Sequence, residues 1–233
     1  MGDEDSRPQA TWLDLYDYRR HVAAMYQQRE EALLSGADEQ VVVQRFRAQK
    51  DALFAHHPQS PLSPEDRRYF TGLSYFPYDP LLRVEAILTP EPAEEDLNLE
   101  ASGPHHMRFQ RAGRLSFSVG TTPLALWVYW IDVYGGSLFL PFRDTSCSEE
   151  SYGGGRYLFD TVKGSDFLQR ESLISPSGEA NASYGYAGGR VLLDFNYAYN
   201  PSCAYDARWV CPLAPNENRL PVPIRAGERK FHA

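Results

Sequence analysis

Cysteine is scarce in this chain: there are three in 233 residues, an odd count. That excludes a disulfide scaffold as the source of stability and makes a reducing cytoplasm the expected location. An excess of positive charge is also missing. Lys and Arg number 23 against 31 Asp and Glu, a net charge of -8. Nucleic-acid binding needs a basic face, so no nucleic-acid partner is expected. No apolar run is long enough to cross a bilayer, and no membrane partner is expected. The start, Met1-Gly2-Asp3-Glu4-Asp5-Ser6, lacks the apolar region of a secretory signal. It fits the myristoylation pattern Met-Gly-x-x-x-Ser in form, but its three acids are poor membrane neighbours and the match reads as coincidence. Metal-ligand spacing is absent too. Cys203 and Cys211 belong to no Cys-x-x-Cys pair and have no His pair beside them. Neither a metal nor a cofactor is therefore read. They read as buried thiols, with a disulfide between them open on geometry and disfavoured by the compartment.

Aromatic residues are plentiful, at 13%, and tilt the expectation toward strands. The first segment is nonetheless helical. Trp12, Leu15, Tyr16, Met25 and Tyr26 recur at helical spacing from Thr11 to a stop at Gly36. A second helix is expected from an Asp38 cap to Ala55, with Val42, Phe46, Leu53 and Phe54 on its apolar side. His56-His57 reads as a solvated helix end, because neighbours in sequence do not share a helix face. Ser63-Pro64-Glu65-Asp66 starts a short third helix. Tyr75-Phe76-Pro77-Tyr78-Asp79-Pro80 reads as an aromatic plug entering the core.

From Leu81 the pattern alternates. Leu82 to Ile87 reads as a half-buried strand and Pro90 to Gly103 as an exposed acidic loop. Met107–Arg111 and Arg114–Val119 flank Ala112-Gly113 and read as a hairpin. Leu124–Val133 and Leu138–Phe142, joined by Gly135-Gly136, read as another. Consecutive hairpins imply an antiparallel meander closing into a barrel or two packed sheets.

Two stretches echo each other: Tyr152-Gly153-Gly154-Gly155-Arg156-Tyr157-Leu158-Phe159-Asp160 and Tyr186-Ala187-Gly188-Gly189-Arg190-Val191-Leu192-Leu193-Asp194. Each reads as a glycine turn followed by a strand with Arg and Asp at its ends. The first glycine run lacks the Gly-Lys-Ser/Thr of a P-loop, and a strand follows it rather than the helix of a dinucleotide fingerprint. A turn or bulge with positive φ is expected there, with an anion nest as the alternative. Lys163 to Ser183 reads as a surface excursion. The prolines of Pro212 to Ile224 read as an extended tail wrapped on the body.

Several of these blocks resemble a bacterial and archaeal domain-of-unknown-function family, number 1684. They are Phe142-Arg143-Asp144, Glu150-Ser151-Tyr152-Gly153-Gly154-Gly155-Arg156-Tyr157, Asp194-Phe195-Asn196, Ala198-Tyr199-Asn200-Pro201, Cys203-Ala204-Tyr205, Cys211-Pro212-Leu213 and Glu217-Asn218-Arg219-Leu220-Pro221-Val222. Phe70 to Pro80 matches as well, so the resemblance spans roughly the C-terminal two thirds and implies no activity. Gly154, Cys147 and Tyr197 depart from it, standing where Ala, Ser and a basic residue are usual; the last would change the charge of a shared pocket.

The expected fold is mainly β (α+β): an antiparallel barrel or sandwich preceded by an N-terminal helical hairpin, with residues 1–58 helical and 59–233 forming the β domain and tail. The functional expectation is a small polar or anionic molecule bound in a pocket at the strand ends, with hydrolysis as an option. Arg143, Asp144, Glu150, Tyr152, Arg156, Asn196 and Asn200 are the candidate ligand-binding residues, and Asp194 and Glu217 the candidate catalytic carboxylates. The alternative is a non-catalytic structural or protein-interaction module in which the same residues form an internal network anchoring the tail. Homo-oligomerisation is left open.

Overall fold

The computed structural model describes residues 10–91, 97–103, 107–133, 136–160, 169–170 and 189–231. The chain forms two compact units, Met1–Gly72 and Leu73–Ala233.

The first unit is a helical hairpin with a short third helix. Thr11 starts α1 (Trp12–Leu34) through a capping box: its hydroxyl accepts from the Asp14 amide, and the Asp14 carboxylate accepts from the Thr11 amide. Gly36, at φ +80°, ends it. Asp38 caps α2 (Glu39–His56), and Ser63 caps α3 (Pro64–Tyr69) with Pro64 at the first position. Tyr26 meets Phe46 edge-on, with ring centroids 4.9 Å apart, beside buried Met25, Val42 and Val43. Trp12 and Tyr16, which share the helical spacing, are exposed. One expectation changes here. His57 is not a solvated end: its side chain is 9% exposed, its Nε2 lies 3.3 Å from Asp17, and its ring meets Tyr18 edge-on.

Among the described residues the second unit is one antiparallel sheet of eight strands curled into a half-barrel, in keeping with the expected class. Its strands are β1 (Arg83–Pro90), β2 (Leu97–Leu99), β3 (Met107–Val119), β4 (Thr122–Ile131), β5 (Ser137–Phe142), β6 (Arg156–Asp160), β7 (Gln169–Arg170) and β8 (Arg190–Asp194). Their order is β6-β5-β4-β3-β1-β8-β7, with β2 pairing beside β3. The main core lies on the inner face, where Ala86, Leu88, Leu115, Phe117, Leu126, Leu140 and Leu193 meet. A second cluster, built on Phe109, Tyr129, Phe139, Tyr157 and Tyr199, lies on the outer face.

The expected hairpin at Ala112-Gly113 is a bulge inside one long strand. Arg111 pairs with Tyr129 and Gly113 with Val128, so one residue is extra. Side chains alternate with period two, so the extra residue moves the odd positions of β3 from the outer to the inner face. Phe109 thus joins the outer cluster, while Leu115 and Phe117 join the core. The actual turn lies between Val119 and Thr122, at Gly120 with φ +58°. Pro90 to Gly103 is not a plain loop either, because it carries β2, with Leu99 buried. Phe76 is the buried member of the aromatic plug. Of the Lys163 to Ser183 excursion only Gln169 and Arg170, which form β7, lie within the described residues.

Both echoing segments do start strands at their arginines, yet in opposite surroundings. Arg156 is fully buried and Arg190 is exposed. At the first, Gly155 has φ +93°, and an added Cβ would sit 2.7 Å from the Phe142 carbonyl oxygen.

Candidate functional site

Strand β8 ends at Asp194 and the chain stops being regular, but it does not leave the sheet. Tyr199 forms an antiparallel bridge to Tyr157 of β6, carrying the chain to the opposite edge. The tail then runs along the outer face, where Pro212 bridges Ala101 and accepts from the Tyr157 hydroxyl at 2.5 Å. Arg219 bridges Arg143, and Leu220, Ile224 and Ala226 are buried in the main core.

Arg156 holds this course in place. Its Nη1 donates to the carbonyls of Ala226 (2.5 Å) and Glu228 (3.0 Å), and its Nη2 to that of Ile224 (2.6 Å). Nη2 also donates to Asp144 Oδ2 at 2.7 Å, and both side chains are 0% exposed. An extended tail leaves its carbonyls without ladder partners, and a planar five-donor cation can serve several of them at once. Phe76 and Phe142 lie against the guanidinium, 5.6 and 5.2 Å from it. Asp144 completes its own shell by accepting from the Ser146 amide.

The asparagines act as backbone substitutes. Asn196 accepts from the Asp79 amide (2.9 Å) and donates to the Asp79 carbonyl (2.8 Å), tying the segment before β1 to the end of β8. Asp194 caps this turn through the Asn196 amide and lies 3.7 Å from Arg83, its cross-strand partner. Asn200 donates to the Arg229 carbonyl through its side chain, and its amide donates to Glu228 Oε2 at 2.8 Å. That same oxygen accepts from the Tyr205 hydroxyl. Glu228 is 1% exposed and escaped the sequence reading, which had no signal separating it from the other acids of the tail.

The remaining candidates lie elsewhere. Glu150 forms an ion pair with Arg225, with Nε at 2.9 and 3.1 Å and Nη2 at 2.8 Å, and that hydrogen bonding holds its carboxyl below the usual range. The Tyr152 hydroxyl lies 3.6 Å from the Cys203 thiol. Burial, then that contact, raises the phenol, and Arg143 acts the other way. All three cysteines are free thiols. The nine predicted residues are therefore spread over several separate networks.

Glu217 belongs to a different neighbourhood, where the tail leaves the outer face. It takes the Tyr129 hydroxyl at 2.6 Å and the Arg111 guanidinium, with Nε at 3.3 Å. Burial, and then this carboxylate, raise the Tyr129 phenol well above its ordinary value. Arg111 and Arg114 stand 4.8 and 5.7 Å from the Trp127 ring. Trp127 is fixed by Asn218, which accepts from its amide and donates to its carbonyl, both at 2.8 Å, and donates to Pro141 at 2.7 Å. Asn218 thereby fills the gap where β4 and β5 diverge.

Beyond this point the outer face is open among the described residues. The bulge places Arg114, Ser116 and Ser118 there, opposite Trp127, Ala125 and Pro123 of β4. Tall side chains at the ends and small ones between them leave a shallow groove of about 830 Å³, lined by Arg114, Ser116, Ser118, Ala125 and Glu85 among others. Among the described residues no carboxylate pairs with Arg114. Sequence reading missed Arg111 and Arg114 because it took the bulge for a turn, which hides the face each occupies.

The family model described as "Protein of unknown function (DUF1684)" matches residues 68–229. The chain belongs to this family. The DUF1684 match takes in the Arg156 network, the groove and the tail through Arg229, and leaves most of the helical unit outside. Among solved structures, the chain is similar to an uncharacterized protein of Haloarcula marismortui determined by solution NMR. The two are 35% identical, the match covers 80% of this chain and 91% of that one, and the TM-score is 0.55. No curated protein matches the sequence. No helix among the described residues is long and apolar enough to cross a membrane.

Proposed function

We propose that this DUF1684 protein binds a small anionic molecule in the groove on the outer face of the half-barrel, with Arg114 as the principal contact. One observation carries the reading. Arg114 is exposed and lies against Trp127 without a carboxylate partner among the described residues, and it lines a groove floored by the hydroxyls of Ser116 and Ser118. A guanidinium so placed offers two parallel donors to a carboxylate or phosphate. Arg111 is already engaged by Glu217 and acts as a support.

The structural alternative is supported for a different set of residues. Arg156, Asp144, Asn196 and Asn200 are buried and hydrogen-bonded to the tail or to neighbouring turns, which favours anchoring over ligand contact. Hydrolysis is not part of the reading, since Asp194 and Glu217 serve separate networks rather than one reacting centre.

Calorimetric titration with acetate and with inorganic phosphate at low ionic strength tests the proposal. Saturable binding that Arg114→Gln removes and added salt weakens is expected. Absence of binding for both anions overturns it.

A further inference from the structure

The groove has a second charged wall, of opposite sign. Glu85 of β1 lines it and is exposed. The pairing of β1 with β3 runs from Thr89 opposite Arg114 to Ala86 opposite Phe117. One further step sets Glu85 beside Ser118. Arg114 and Glu85 are thus about four residues apart along the strands, roughly 14 Å at ~3.4 Å per residue. Between them lie Ser116 and its β1 partner Ile87, which is exposed, with Ala125 of β4 on the other side of Ser116. The trough spans β1, β3 and β4, two strand spacings or about 10 Å. Glu85 is only loosely held: its contact with Arg190 is 3.9 Å long and both side chains are more than half exposed, so a ligand cation can replace it at small cost.

Resting on the anion-binding reading above, we propose that the ligand is a short extended peptide of about three residues with both termini free. Its carboxylate pairs with Arg114 and its ammonium with Glu85. Three extended residues span about 10 Å, and the reach of the Arg and Glu side chains makes up the remainder. The hydroxyls of Ser116 and Ser118 suit this ligand, because an extended backbone carries N–H and C=O groups that they can meet. A single small anion would use one end of the trough and leave the other idle.

The test is a titration of the full chain followed by the indole N–H signal of Trp127, which sits beside Arg114. Four ligands are compared: trialanine, its C-terminal amide, its N-acetyl form, and acetate. Trialanine should bind at least tenfold more tightly than each of the other three. Arg114→Gln should abolish the preference for a free carboxylate, and Glu85→Gln the preference for a free amine. Both side chains are on the surface, so both variants should melt like the parent. If trialanine binds no better than acetate while both still depend on Arg114, the peptide inference fails and the anion site stands. If none of the four shifts the Trp127 signal, both fail.

Discussion

Replacing Arg156 with Met removes the cation that gathers the tail. The side chain it replaces is fully buried, pairs with a fully buried Asp144, and serves the carbonyls of Ile224, Ala226 and Glu228. Breaking a buried ion pair on one side costs about 3–5 kcal/mol, because the other charge is left uncompensated. Each buried acceptor that loses its donor adds up to roughly 1–3 kcal/mol, less whatever the tail recovers by relaxing. A loss of about 5 kcal/mol or more is therefore expected. For a unit of this size that corresponds to a fall in Tm of roughly 10–20 °C. Urea unfolding followed by tryptophan fluorescence measures it. Arg156→Lys should recover part of the loss, since it keeps the charge but not the fork of donors. Asp144→Leu combined with Arg156→Met should cost clearly less than the sum of the two single changes, because no lone charge is then buried. A loss below about 1 kcal/mol for Arg156→Met, or strict additivity in the double variant, would refute the anchoring argument.

Other perturbations probe other joints of the same unit. Asn218→Ala removes three hydrogen bonds that close the gap between β4 and β5 and should destabilise by about 2–4 kcal/mol, read by the urea midpoint; a neutral result contradicts its bridging role. Gly227→Ala should be worse tolerated than an ordinary loop change, since φ is +73° and the new Cβ would lie 2.3 Å from the Ala198 carbonyl oxygen. A Tm equal to the parent's argues against that fit. Burial raises the phenols of Tyr129 and Tyr157 above the usual 10.0, so the folded chain keeps protons that the unfolded chain releases. Stability should hold below pH 10 and fall above it, by about 1.4 kcal/mol per pH unit for each phenol that stays protonated. Tyrosinate absorbance from these two should appear only together with unfolding. Full ionisation of all tyrosines with near-ultraviolet dichroism retained would contradict this.

The helices could be read from the sequence because their signals are local: Thr11, Asp38 and Ser63 each stand where a cap belongs, and the turn between α1 and α2 needs its glycine. The meander could be read because alternation is a period-two signal, and Gly136 marked a true hairpin. The bulge at Ala112 could not. A break in alternation looks the same whether the chain turns back or slips one residue, and only the partner strand distinguishes the two. That single ambiguity hid the face on which Arg111 and Arg114 lie, and with it the groove. The residues chosen from the sequence were polar groups at strand ends, a pattern that suits a ligand pocket and a tail anchor equally. Burial separates these uses, and burial depends on where the irregular tail runs. Tyr199 crossing to Tyr157 is a contact between distant segments that no local pattern announces. Glu228 illustrates the same limit, since its buried hydrogen bonds to Asn200 and Tyr205 follow from that crossing.

Two arginines divide the labour in this reading, Arg156 anchoring the tail and Arg114 meeting the anion, and a calorimetric acetate titration of Arg114→Gln beside Arg156→Met, at a temperature where both are folded, separates the two roles. Binding lost in the Arg114 variant, which keeps the parent's stability, and retained in the destabilised Arg156 variant is the predicted result. Binding that survives the loss of Arg114 and disappears with that of Arg156 would rule out this division of roles.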